Sequence, residues 1–135
     1  MCTPATEPLA AASRAFFDAW SAGDVGAMAA FFAPDLAMTD MPRGRDFDLA
    51  ETTAMLSAFL ARSPRLRIEL LRLSVSGTAV FTERIDHMVL DGRPVSMPVA
   101  AVFEFASGRI RRWREYYDRG PLLAAPEDTG GSDAA

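Results

Sequence analysis

The sequence predicts an α+β domain in which helices cover one face of a strongly bent antiparallel sheet. Two observations carry this. Apolar residues recur at helical spacing in the first half of the chain and alternate in the second half, with the change of period at Ser63-Pro64. At 135 residues, half of them hydrophobic, the chain is long enough to bury roughly two-thirds of its unfolded surface in one core without metal or disulfide support.

From Glu7 to Ser21 the residues Leu9, Ala12, Phe16, Phe17 and Trp20 form one apolar helical stripe, and Ala22-Gly23-Asp24 stops that helix and caps the next. A short second helix is expected over Val25–Phe32, broken by Ala33-Pro34-Asp35. Leu36 to Met41 reads as a brief strand ending at Pro42. A third helix follows a cap at Asp46 and runs to about Arg62, where Ser63-Pro64 ends it. Alternation then marks strands over Arg65–Ser76, Ala79–Leu90, Val95–Ala106 and Arg109–Arg119, with turns at Gly77, Asp91-Gly92 and Ser107-Gly108. Residues 8–122 are expected to form the single domain, with a flexible N-terminus over 1–7 and a disordered Ala-, Gly- and acid-rich tail over 123–135.

Composition narrows the functions. A net charge of −4 argues against a nucleic-acid partner. No apolar run approaches a membrane span, and no signal-peptide pattern opens the chain, so a soluble, cytoplasmic protein is expected. The single cysteine, Cys2, has no companion for a disulfide, a zinc site or a nucleophile–base pair, and neither metal nor cofactor is expected.

The chemistry concentrates in Arg84-Ile85-Asp86 and in Trp113-Arg114-Glu115-Tyr116-Tyr117. Strand alternation puts Arg84 and Asp86 on one face, and Arg111, Trp113, Glu115 and Tyr117 on one face of the last strand. Should those faces coincide, one arginine lies between two acids on an apolar surface, able to keep one carboxyl protonated and the other ionised. Met88, Met97, Val99, Ala101 and Phe103, with Phe17 and Trp20 from the first helix, are expected to line the concave wall. The plainer reading of Arg84 and Asp86 is an interstrand ion pair, worth about 0–1 kcal/mol if exposed. His87, the one histidine, is sent by alternation to the opposite face, as an outer-face or dimer-contact residue. Arg111, Arg112, Arg114 and Arg119 read as solvated edge charge or subunit pairing.

The order of elements resembles the nuclear transport factor 2-like fold, a cone shared by ketosteroid isomerases, SnoaL-type polyketide cyclases and limonene-1,2-epoxide hydrolases. The epoxide hydrolase group is the best match, through Phe16-Phe17-Asp18-Ala19, Asp40-Met41-Pro42, Gly44-Arg45-Asp46, Thr82-Glu83-Arg84-Ile85-Asp86, and Gly108-Arg109-Ile110 with Trp113-Arg114-Glu115-Tyr116-Tyr117-Asp118. The resemblance implies cofactor-free opening of an epoxide in one step, without a covalent intermediate, and the expected substrate is a small or medium hydrophobic epoxide, terpene- or polyketide-like. Asp86 would protonate the epoxide oxygen, Arg84 would bridge the carboxylates, and Glu115 would activate water. Asp40 would help to hold that water, and Phe17, Trp20, Met38, Met88, Met97, Val99 and Tyr117 would contact substrate. This chain departs from the family pattern at Glu115, where the family has Asp, and at Met38 and Asp40, which match the family's water-holding Tyr and Asn.

Two alternatives share the fold. Asp40 lies where the isomerase relatives carry a general base, so an epoxide-opening cyclase or a ketosteroid isomerase-like or SnoaL-like cyclase is one. A non-catalytic module that binds small ligands is the other. A homodimer paired through the exposed sheet face is expected in each case.

Overall fold

The computed structural model describes residues 6–123, so the expectations for residues 1–5 and 124–135 lie outside that range, while residues 6, 7 and 123, expected in the terminal segments, belong to helices. Helix α1 (Thr6–Ser21) is followed by α2 (Val25–Ala29), strand β1 (Phe32–Asp40), strand β2 (Arg45–Phe47) and helix α3 (Leu49–Arg62). Strands β3 (Arg67–Ser76), β4 (Ala79–Leu90), β5 (Arg93–Ala106) and β6 (Arg109–Tyr117) then form a meander, closed by the short helix α4 (Gly120–Leu123).

The six strands make one sheet in the order β2-β1-β6-β5-β4-β3. Every neighbouring pair is antiparallel except β1 and β6, which run parallel. The hairpin turns at Asp91-Gly92 and Ser107-Gly108 have positive φ at both central residues (51° and 83°; 52° and 78°), the backbone that matches the right-handed twist of the flanking strands. Helices α1 and α3 pack on the concave side. Phe16 is the centre of an aromatic cluster there, with ring centroids 5.4 Å from both Phe103 and Trp113 and 5.5 Å from Phe32. These edge-on and tilted contacts hold α1 against β1, β5 and β6 in the arrangement aromatic quadrupoles favour.

Four features depart from the sequence reading. Helix α2 stops at Ala29, and Phe32 opens β1 instead, because the Ile110 amide of β6 donates to the Phe31 carbonyl at 2.7 Å and draws that segment into the sheet. The strand tolerates Pro34 because the register with β6 is irregular between Phe32 and Ala37, so no ladder bond is required of it there. Asp46 is not a helix cap but lies in β2, where it accepts a hydrogen bond from Thr39 Oγ1 at 2.6 Å; the cap is Asp48, in a reciprocal capping box with Glu51. Strand β6 ends at Tyr117 because Asp118 Oδ1 accepts from the Gly120 amide and starts α4.

The fourth departure is a bulge. Glu104 pairs with Arg112 and Phe105 with Ile110, so Arg111 is an extra, unpaired residue. The expectation that Arg111 shares a face with Trp113 and Glu115 therefore fails. Ile110 is buried instead, and Arg111 points outward to Asp35 at 3.1 Å. A second bulge leaves Leu71 of β3 unpaired and 44% exposed.

Candidate functional site

Arg84 and Asp86 lie two residues apart on β4 and point to the concave face. Glu115 points to the same face from β6, with β5 between the two strands. Two strand spacings are about 9.5 Å, a gap that a side chain as long as arginine can bridge. The β5 residues beneath the span, Val99 opposite Arg84 and Ala101 opposite Glu115, are small enough to leave the passage open.

Arg84 uses the passage fully. Its Nε donates to Asp86 Oδ1 at 2.8 Å and Nη2 to Asp86 Oδ2 at 3.2 Å, while Nη1 and Nη2 donate to Glu115 Oε1 and Oε2 at 3.0 and 2.6 Å. The Trp113 indole donates a further bond to Glu115 Oε1 at 2.9 Å. Helix α1 closes the group from the other side, with the guanidinium carbon 4.8 Å from the Trp20 ring centroid and 5.2 Å from that of Phe17. Stacking of a desolvated guanidinium on two aromatic faces adds to the electrostatic hold. Arg84 is 0% exposed, Asp86 2% and Glu115 6%, so the surface ion-pair reading does not apply.

Burial acts on Arg84 and Glu115 in opposing ways. It would lower the Arg84 pKa, but the charges of Glu115 and Asp86 more than offset it and hold the guanidinium protonated. For Glu115 burial is the largest influence and raises the pKa; Arg84 and the Trp113 indole pull it back, and the balance stays above the ordinary value of 4.5.

Asp40 enters through the parallel pairing of β1 with β6, which sets it directly opposite Glu115. It is 1% exposed. Arg43 Nε, from the turn after β1, donates to its Oδ2 at 2.6 Å, and the Tyr117 hydroxyl donates to both oxygens at 3.0 and 2.9 Å. Burial, followed by the bond to Asp40, raises the Tyr117 pKa and keeps the phenol neutral.

These groups surround a cavity of about 110 Å³. Asp40, Asp86, Glu115, Tyr117 and Arg43 form its polar wall; Trp20, Met38, Met97 and Trp113 continue the wall, and Met55, Leu56 and Phe59 of α3 with Leu122 of α4 complete it. Arg84 lies behind the carboxylates and does not reach the cavity surface. Of the residues expected to touch substrate, Trp20, Met38, Met97 and Tyr117 line the cavity. Phe17, Met88 and Val99 do not: Phe17 is under the guanidinium, Val99 lies beneath the arginine span, and Met88 is part of the packed core. The sequence reading did not name Arg43, Met55, Leu56, Phe59 or Leu122 as site residues. The Pro42-Arg43-Gly44 turn after a strand bearing Asp40 was the available signal for Arg43. His87 faces away, bonded at 2.8 Å to both Glu69 and Ser96. Among the described residues no group of His, Cys, Asp or Glu has the arrangement of a metal site, and no helix is long and apolar enough to cross a membrane.

A SnoaL-like domain model matches residues 13–113. The chain belongs to the SnoaL-like family. A curated relative, the epoxide hydrolase EphG of Mycobacterium tuberculosis, is 30% identical over 107 residues, spanning 79% of this chain and 71% of the relative. Among solved structures, an LEH-like epoxide hydrolase from M. tuberculosis superposes with a TM-score of 0.78 at 28% identity, covering 89% of this chain and 90% of that one. A proposed polyketide cyclase from Xanthomonas campestris superposes with a TM-score of 0.77 at 24% identity, over 87% and 95% of the two chains, and shows the fold alone. This SnoaL-like chain thus has the nuclear transport factor 2-like fold and is homologous to an epoxide hydrolase.

Proposed function

We propose that this SnoaL-like protein is a cofactor-independent epoxide hydrolase acting on a hydrophobic, terpene- or polyketide-like epoxide. The observation that carries the reading is the buried Asp86–Arg84–Glu115 bridge, with both acids on the wall of one cavity. Asp86 gives its proton to the epoxide oxygen as that carbon–oxygen bond breaks, and Glu115 takes a proton from the water whose oxygen bonds to the carbon. Protonation of the departing oxygen avoids a free alkoxide, and each such transfer is worth about 10²–10⁴-fold. The raised pKa of Glu115 makes it a stronger base than an exposed glutamate. Arg84 keeps the two carboxyl groups in register and lets them hold one proton between them.

The apolar walls from Met38, Met55, Phe59 and Met97 favour a hydrophobic substrate.

Turnover of a panel of terpene-like and polyketide-like epoxides in ¹⁸O-labelled water tests the proposal. Diol carrying the label is expected. Asp86→Asn and Glu115→Gln should each lower kcat by about 10²-fold or more while the protein stays folded. Wild-type rates in either variant, or an unlabelled cyclic product, would overturn it.

A further inference from the structure

We infer that Tyr117 is a positioning residue for the attacking water, with Asp40 and Arg43 fixing its hydroxyl, an inference that rests on the hydrolase reading above. Among the described residues that line the cavity, Tyr117 carries the one hydroxyl. Its proton is committed to Asp40, at 3.0 and 2.9 Å from the two carboxylate oxygens, so the face of the phenol oxygen turned away from Asp40 is an acceptor. Asp40 is itself immobilised, 1% exposed and bonded to Arg43 Nε at 2.6 Å. The chain of bonds from Arg43 to Asp40 to Tyr117 therefore sets the phenol in one orientation.

Tyr117 and Glu115 are i and i+2 on β6, stand on the same face and both line the cavity, so a water in it is offered both groups. Such a water gives one hydrogen to Tyr117 Oη as a hydrogen bond and the other to Glu115 as a proton. Its oxygen bonds to the epoxide carbon while Asp86 protonates the oxygen released. The hydrogen held by Tyr117 stays on the new hydroxyl, so the balance closes with no further reactant. A water held at two points is aimed at one of the two epoxide carbons, and regioselectivity therefore reports on Tyr117.

Tyr117→Phe keeps the ring and the cavity wall and removes only the hydroxyl. Measured on an epoxide the wild type opens, kcat is expected to fall roughly 10–100-fold, the cost of one hydrogen bond in the transition state, with KM changed by less than about 3-fold. In ¹⁸O-labelled water the ratio of label at the two carbons of the diol should move toward unity. A wall-packing role would raise KM and leave that ratio alone, and such a result overturns the inference, as does wild-type kcat with an unchanged ratio. Where Tyr117→Phe does not fold, Arg43→Gln reads the same network from the cavity mouth. The label ratio should shift in the same sense, and an unchanged ratio overturns the inference. A wild-type protein that opens no epoxide overturns both this inference and the hydrolase reading, whereas an active wild type with an indifferent Tyr117→Phe overturns this inference alone.

Discussion

The two faces of the sheet carry the same kind of bond in opposite surroundings. On the concave face Arg84 Nε meets Asp86 at 2.8 Å with side chains 0% and 3% exposed. On the outer face Arg72 Nε meets Glu83, the neighbour of Arg84 in sequence, also at 2.8 Å, with side chains 78% and 53% exposed. The geometry is alike and the energetics are not. Water screens the outer pair and solvates either partner when the other is lost. Inside, each charge has given up its hydration, so its stability depends on the partners that replace it. A charged group held out of water by a fixed partner is what acid–base chemistry needs, and what a folding core ordinarily avoids.

The comparison is sharpened most by removing the inner cation. Arg84→Met leaves Asp86 and Glu115 buried without their partner and should cost about 3–5 kcal/mol in denaturant unfolding. Replacing all three charges together, as Arg84→Met with Asp86→Leu and Glu115→Leu, should restore most of that loss while activity stays absent. Near-wild-type stability of the single variant would break the contrast.

A smaller effect is expected in the pH dependence of stability. The folded-state pKa of Glu115 lies above its ordinary value of 4.5. Between those two values the folded chain binds more protons than the unfolded one, so stability falls as pH rises through that window and is constant in this respect above it. The slope from one such group is at most about 1.4 kcal/mol per pH unit. Comparison of Glu115→Gln with wild type by urea unfolding from pH 4 upward should show this slope lost in the variant. The smallest effect belongs to the outer face, where Arg72→Ala should change stability by about 0–1 kcal/mol and leave turnover untouched.

Particular residues show how far the sequence could be read. Arg84 and Asp86 share a face because a strand has period two, and no bulge interrupts β4. Glu115 and Tyr117 follow the same rule on β6. Arg111 obeys it only on paper, since one extra residue opposite the Glu104–Phe105 step turns it outward. Strand β2 was hidden because three residues are too few to show a period, and Asp46 imitates a helix cap a short step before the true one at Asp48. Phe32 reads as the end of a helix until β6 supplies a strand for it to join.

Local pattern by itself determined the α+β class, the meander with its three Gly-containing hairpin turns, and the faces on which Arg84, Asp86, Glu115 and Tyr117 stand, because alternation and turn chemistry are properties of adjacent residues. Only the tertiary structure decided that β1 lies parallel to β6 and so sets Asp40 against Glu115, that Arg84 spans β5 to reach a second acid, and that Arg43 and α3 complete the cavity. Those placements depend on contacts between segments far apart in the chain, where burial and register choose among partners that the sequence leaves equal.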